Sequence, residues 1–454
     1  MTSAAATDNG QNLRWYQGLD RYCWVVLFIA ALGWLFDTMD QNIFNLVRKP
    51  SLEDLIRTTQ HLEGPALIAA VNEASGVLTS VFLIGWAVGG FVFGILGDKL
   101  GRTGTMILTI LIYAVFTGLS GLSWDVNSYG FMRFMTALGV GGEWAAGAAI
   151  VAEVFPARSR PMALGTLQAL SAVGNMMAAG ITFGLGNMTE QWRTAYFIGA
   201  LPALLVLWIR KTVREPEKWK HARESSAAEE FGNIAQLFSI PHLRRNTIAA
   251  TLMAAAGVGA LWGVGFFSAD LMHTELKEAF PDNSVRGKMV STVFFLQQVG
   301  AFIGLYTFAV VSERLNRKKA FYLWWVLAWI SIPLFFWGVA NSGSAAYQRG
   351  LLLAPILGFC SLGPFAGYSI YFPELFPTRL RATGLGFCYN AARILAAFAP
   401  FTLGKLSSVF ATQGGTVATS GGLPMAATVV TSIYIFGFIG TALGPETKGT
   451  ELPE

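Results

Sequence analysis

Charge is scarce in this sequence. Only 13% of its 454 residues are Asp, Glu, Lys or Arg, about half of the roughly 25% usual in soluble domains. So few charges cannot cover the surface of a soluble fold this size, which excludes an ordinary cytosolic enzyme, a nucleic-acid binder and a disordered chain. Cysteine is scarcer still. Cys23, Cys360 and Cys388 all lie in apolar runs, and an odd set of three excludes a disulfide framework. The four histidines, His61, His221, His242 and His273, are scattered in or beside polar stretches, so no metal site is expected. Neither a nucleophile elbow nor a phosphate-binding loop occurs, which leaves no case for an enzyme and no expected cofactor. Apolar residues, by contrast, make up 53% of the chain, with 50 glycines among the rest. That is the composition of a polytopic helical membrane protein, where glycine lets helices approach closely.

A spanning helix needs roughly 20 mostly apolar residues. Twelve such runs lie between the charge clusters, at about 22–46, 75–97, 104–123, 128–152, 162–185, 192–212, 246–270, 288–311, 319–340, 348–372, 383–409 and 423–443. The first is too long, and lacks the small-residue cleavage site, for a signal peptide. With twelve spans both termini share one side, and most of the 32 Lys and Arg fall in the termini and loops of that side. The positive-inside rule then makes both termini cytoplasmic. A polar stretch rich in Glu and Lys divides the chain. The expected organisation is a tail at 1–21, a six-helix bundle at 22–212, a cytoplasmic linker at 213–245, a second six-helix bundle at 246–443 and a tail at 444–454.

The halves carry an internal repeat. Glu153-Val-Phe-Pro-Ala-Arg158-Ser-Arg160 recurs without a gap as Glu374-Leu-Phe-Pro-Thr-Arg379-Leu-Arg381, and Gly97-Asp98-Lys99-Leu-Gly101-Arg102-Thr103 recurs more weakly as Ser312-Glu313-Arg314-Leu-Asn-Arg317-Lys318. Both pairs fall at equivalent places after spans 4 and 10, and after spans 2 and 8. The fold class expected is an all-α membrane protein of two six-helix bundles related by an axis along the membrane normal. Gly94-Ile-Leu-Gly-Asp98-Lys99-Leu-Gly101-Arg102 resembles the signature of the major facilitator superfamily between spans 2 and 3. More narrowly, Arg133-Phe-Met-Thr-Ala-Leu-Gly-Val-Gly-Gly-Glu143-Trp144 is similar to span 4 of bacterial metabolite:H⁺ and sialate:H⁺ symporters. Phe36-Asp37-Thr-Met-Asp40 and Asn390-Ala-Ala-Arg393 resemble segments of aromatic-acid:H⁺ symporters, with Thr38 standing where that family has Gly. The resemblance implies a conformational latch built from Gly94, Asp98, Lys99, Gly101, Arg102, Glu153, Arg158 and Arg160, with Glu313, Arg314, Arg317, Glu374, Arg379 and Arg381 in the second copy.

Ionisable groups at bilayer depth cost at least ~2.5–3.5 kcal/mol, so each is a functional candidate. Asp37 and Asp40 lie three residues apart, on one face of a helix. Two carboxylates so close in a poorly hydrated cavity cannot easily both ionise, which is what a proton-coupling site requires. Glu143 is a third candidate, for a relay or for structural pairing. Arg133 either snorkels to the interface or faces the cavity and pairs with Asp37 or Asp40, and the family match favours the cavity. Arg393 lies near mid-membrane with no acid in its own span, and its planar fork suits a substrate carboxylate or a span-1 acid. Trp34, Gln41, Trp144, Gln168, Asn175, Trp262, Gln297, Gln298, Tyr368, Tyr389 and Asn390 complete the candidate pocket. The expected function is proton-coupled symport of a small organic acid anion across the inner (plasma) membrane by alternating access. A sugar or organic cation, or a binding protein without turnover, is the alternative. The expected partners are that small molecule, protons and the lipid bilayer, with no nucleic acid, and the chain acts as a monomer.

Overall fold

The computed structural model describes residues 14–185, 188–225, 230–261, 267–396, 399–413 and 415–453, and helices, turns and loops, with no strand, make up those residues. The expected Trp262 contact lies outside them. The α-helices in chain order are α1 Arg21–Gln60, α2 Gly64–Lys99, α3 Arg102–Ser120, α4 Val126–Val154, α5 Arg160–Leu185, α6 Met188–Gly199, α7 Ala203–Thr212, α8 Glu217–Ser225 and α9 Gln236–Ser239. They continue as α10 Pro241–Ala260, α11 Phe267–Glu275, α12 Asn283–Arg314, α13 Arg317–Val339, α14 Ala346–Leu375, α15 Arg381–Ala396, α16 Ala399–Ala411, α17 Leu423–Val430 and α18 Tyr434–Leu443.

Among the described residues, 8 helical segments are long and apolar enough to cross a membrane. The other expected runs are also helical over most of their described residues. The run expected at 192–212 breaks into α6 and α7 at Pro202, which has no N–H to continue the helix. The run expected at 162–185 is α5, whose Gln168, Ser171 and Asn175 turn inward. The first run extends well past its expected end near residue 46, through Pro50 to Gln60. Its continuation is amphipathic: Leu52, Leu55 and Ile56 repeat at helical spacing and are buried, so the segment seats itself as helix rather than loop.

The two halves of the chain meet along two seams, α2 against α15 and α5 against α12. Both depend on side chains small enough for backbones to touch. A Cβ on Gly386 would strike the Gly90 carbonyl oxygen and lie 3.2 Å from the Gly94 Cα, and at the matching place in the other seam Gly165 meets Ala309. Both ends of the described chain gather beside Asp98 and Arg102. Ser159 donates to the Trp15 carbonyl at 2.6 Å, and Arg381 donates to the Pro453 carbonyl at 2.8 Å.

Candidate functional site

Between the two seams lies a cavity of about 120 Å³, walled by α1, α2, α5, α10, α12, α14 and α15. Trp34, Gln41, Gln168, Asn175, Gln297, Gln298, Tyr389 and Arg393 all line it, so eight residues nominated from sequence converge on one space. Arg393 is its cation. The guanidinium lies 3.9 Å from the Trp86 ring centre and 4.1 Å from that of Tyr389. Nη1 donates to Asn390 Oδ1 at 2.7 Å, and Asn390 is in turn fixed by donating to the Gly386 carbonyl at 2.7 Å. Tyr389 is stacked on Trp144, with ring centres 4.5 Å apart. No ion pair occupies Arg393 among the described residues, and the cavity lining contains no carboxylate.

Four nominated residues sit outside the lining, the first of them Trp144, stacked behind Tyr389. Asn390 stands behind Arg393 and holds it. Tyr368 donates to the Met253 carbonyl at 2.7 Å, inside an aromatic cluster with Phe321 and Phe372. A backbone carbonyl within reach satisfies its hydroxyl, so it faces away from the cavity. Arg133 is at neither the cavity nor the interface, but it does pair with one of the two expected acids. It is fully buried, 3.5 Å from Asp40, beneath the Tyr196 ring at 4.6 Å, and it donates to Ser120, Thr117 and Thr136.

That arrangement splits the carboxylate pair expected in α1. Asp40 is matched by Arg133 and accepts from Thr117 at 2.8 Å. Asp37 differs from it: both its oxygens are buried with no hydrogen-bond partner among the described residues, and the same holds for Glu143. The charged groups within range of Asp37 are Glu143, Asp40 and Arg393. Glu143 lies over Gly33, where a Cβ would collide with its carboxyl. The bare hydroxyl of Tyr113 adjoins the same pocket. The uncompensated acids are therefore Asp37 and Glu143, one on α1 and one on α4. Burying an unpaired carboxylate costs far more than burying the neutral acid, so a group in this setting is suited to exchanging a proton.

The other constellation closes the seam at the Asp98 end. Arg102 donates to the Gly97 carbonyl at 2.6 Å, Asp98 at 2.7 Å, Glu153 at 2.9 Å and the Thr378 carbonyl at 2.6 Å. Glu153 also accepts from Arg381 at 2.6 Å. Asp98 accepts from the backbone N–H groups of Ala382 at 3.1 Å and Thr383 at 2.7 Å. It therefore satisfies the first turn of α15, in the other half, and its charge suits the positive end of that helix. Gly101 takes φ +108° at the turn into α3, a conformation open to glycine. The second copy is weaker. Arg317 pairs with Glu313 at 3.2 Å and Glu374 at 3.0 Å, but no bond crosses to α5. The position equivalent to Ala382 there is Pro161, which has no N–H to donate.

The outlying members of the expected latch fall around this core. Lys99 is exposed, Arg158 donates to the Gln17 carbonyl at 2.5 Å, and Arg160 to that of Ala152 at 2.9 Å. Arg379 pairs with Glu230 of the linker at 3.6 Å. The Arg314 carbonyl accepts from Lys448 at 3.2 Å.

Two residues of this region were missed in the sequence. Glu215 accepts from the N–H groups of Arg102, Thr103 and Gly104 at the start of α3. Glu446 does the same for Arg317 and Lys318 at the start of α13. No sequence repeat marked them: aligning Pro216-Glu217 with Pro445-Glu446 sets Glu217, not Glu215, opposite Glu446.

Replacing Asp98 by alanine is expected to free the Ala382 and Thr383 amides. Charge-assisted bonds are worth roughly 1.5–3 kcal/mol each, so amide exchange there should accelerate at least tenfold while α13 is unchanged. Exchange at the wild-type rate would show that the clamp carries no load.

A family model described as the Major Facilitator Superfamily matches residues 30–400, and the chain belongs to that superfamily. It is 30% identical over 421 residues to the probable 4-methylmuconolactone transporter of Cupriavidus pinatubonensis, with 92% of this chain and 89% of that protein covered. The sialic acid transporter NanX of Escherichia coli is 30% identical over 393 residues, covering 85% of this chain and 89% of that one. In structure the chain is similar to the proton:xylose symporter XylE bound to 6-bromo-6-deoxy-D-glucose, with a TM-score of 0.72 at 16% identity over 95% of this chain and 98% of that one. That last likeness is of fold. The protein is a multi-pass membrane protein of a transporter family.

Proposed function

We propose that this superfamily member is a secondary transporter carrying a small organic acid anion together with protons by alternating access. The observation that carries the reading is Arg393: a buried guanidinium in the cavity wall, held by Asn390 and two aromatic rings, with no carboxylate against it. A cation so placed calls for an anion, and the rest of the lining offers amide and hydroxyl groups. An organic cation would find no acid in that wall. Relatives named for 4-methylmuconolactone and for sialic acid agree with an organic acid as cargo.

The proton sites on this reading are Asp37 and Glu143, with Asp40 kept charged by Arg133. Twelve spans in two bundles, at 22–212 and 246–443, lie in the inner membrane with both termini cytoplasmic, and the chain works as a monomer. The Asp98 clamp then lies on the cytoplasmic side, and because it is closed that side is shut. Lock and cavity divide the labour. The clamp sets which side is shut, and substrate and proton bias that equilibrium only through their different affinities for its two states. In proteoliposomes, an inward proton gradient should drive accumulation of a carboxylate such as cis,cis-muconate or sialic acid at least tenfold over the level with the gradient collapsed. Accumulation indifferent to the gradient would rule out coupling, and no uptake of any acid would rule out the anion.

A further inference from the structure

The orientations of the cavity's amides are dictated by their neighbours, and they define a second anchoring point on the seam opposite the one that carries Arg393. The chain of constraint starts at a backbone carbonyl. Asn42 Nδ2 donates to the Thr38 carbonyl at 3.3 Å. A carbonyl accepts only, so this end of the Asn42 amide is its NH₂. The same NH₂ bonds an Asn175 atom, which must therefore be Oδ1. Asn175 Nδ2 then faces Gln298 at 3.1 Å, and the Gln298 atom it meets must be Oε1. The NH₂ of Gln298 is left pointing away from this relay, with no acceptor among the described residues, on a side chain that lines the cavity. Gln168 is fixed in the same way by different partners. Its Oε1 accepts from the indole N–H of Trp144 at 3.0 Å, a group that can only donate, and from Ser369 at 2.9 Å. Its NH₂ is likewise free for the cavity.

These donors fall into two places. Gln168 is bonded to Trp144, which stacks on Tyr389, over which Arg393 lies. Gln168 and Arg393 thus flank one aromatic slab, and Arg393 belongs to the α2–α15 seam. Gln298 and Asn175 belong to the other seam, α5 against α12. Along α5, Asn175 lies seven residues beyond Gln168, about 10 Å further up the helix.

We propose that Gln298, oriented by the Asn42–Asn175 relay, forms a second acceptor-binding subsite, and that the substrate is an acid with oxygen acceptors at both ends, such as a short-chain dicarboxylate. This rests on the reading of Arg393 as the anchor of the first carboxylate. One end is held by the charged fork with Gln168, and the other by the Gln298 amide. Such a molecule touches both seams at once. Gln298 is a specificity-determining residue: a monoacid would leave its NH₂ without a partner in a poorly hydrated wall, and an unmatched buried polar group is what discriminates strongly between near-identical ligands.

The test uses the purified full-length protein in detergent and two probes with the same six-carbon diene, cis,cis-muconate with two carboxylates and sorbate with one. Wild-type protein should bind muconate at least tenfold more tightly than sorbate by titration calorimetry. Gln298→Leu should erase that advantage and leave sorbate within twofold. Gln298→Glu, which keeps the shape and replaces the donor by a negative charge, should weaken muconate more than tenfold with sorbate again little changed, and guards against a folding defect in the leucine variant. Equal wild-type affinities for the two acids, or equal loss of both in the Gln298 variants, would overturn the second subsite while leaving the Arg393 anchor standing. Failure of wild-type protein to bind either acid would overturn both.

Discussion

Arg393→Ala is expected to weaken binding of the anion by one to two powers of ten. The lost contact is a charge-assisted bidentate pair, and bonds of that kind are worth roughly 1.5–3 kcal/mol each, where about 1.4 kcal/mol is a factor of ten. Arg393→Lys should recover only part of the loss. An ammonium keeps the attraction but gives up the planar fork and the stacking between Trp86 and Tyr389. Asn390→Ala should fall between the two, since it releases Nη1 but leaves the charge and both rings. Titration of the three variants against one carboxylate checks the order. A competing role for Arg393 is to balance Asp37, which lies within its electrostatic range. In that case the double variant Arg393→Ala with Asp37→Asn would regain anion affinity, because the unmatched acid would be gone with its cation. Rescue of that kind would exclude the carboxylate clamp.

The fold was legible in the sequence wherever one physical signal was strong. Long apolar runs placed the helices, and the two copies of the Glu-x-x-Pro-x-Arg-x-Arg segment pointed to a doubled design. What escaped was local. The helical continuation beyond Pro50 alternates polar and apolar residues, so a search for unbroken hydrophobic runs stops short of it. How the carboxylate pair in α1 divides its partners is something that spacing cannot reveal. Asp37 and Asp40 share a helix face, but Arg133, far along the chain, draws Asp40 toward α3 and α4 and leaves Asp37 to Glu143. The sequence narrowed the partner of Arg133 to Asp37 or Asp40, and the fold selects Asp40. Glu215 and Glu446 were passed over because each reads as a solvated loop acid until a helix N-terminus is brought to it. The asymmetry of the lock, by contrast, was readable. Proline at 161 where the second copy has Ala382 removes one of the two N–H groups that Asp98 grips in the other seam.

Asp37→Asn is expected to abolish uphill accumulation in proteoliposomes while exchange of internal for external substrate continues. An amide mimics the protonated acid in shape and polarity, so the carrier can still bind and turn, but it cannot release a proton and the gradient no longer does work on the cargo. Glu143→Gln should give the same split between accumulation and exchange if the two acids handle one proton in relay, and near-normal accumulation if Asp37 acts alone. Asp40→Asn should behave differently. It leaves the fully buried Arg133 without its counter-ion, and stranding one member of a buried pair typically costs about 3–5 kcal/mol. Loss of folded protein and of thermal stability, rather than selective uncoupling, is the expected result, and Arg133→Met in the same chain should restore much of it. Monodisperse yield and melting temperature in detergent read the Asp40 effect, while gradient-driven uptake beside counterflow reads the other two. Full accumulation in the Asp37→Asn, Glu143→Gln double variant would place proton coupling outside this buried pair. Selective uncoupling by Asp40→Asn, with stability intact, would return the coupling role to the acid that Arg133 here holds charged.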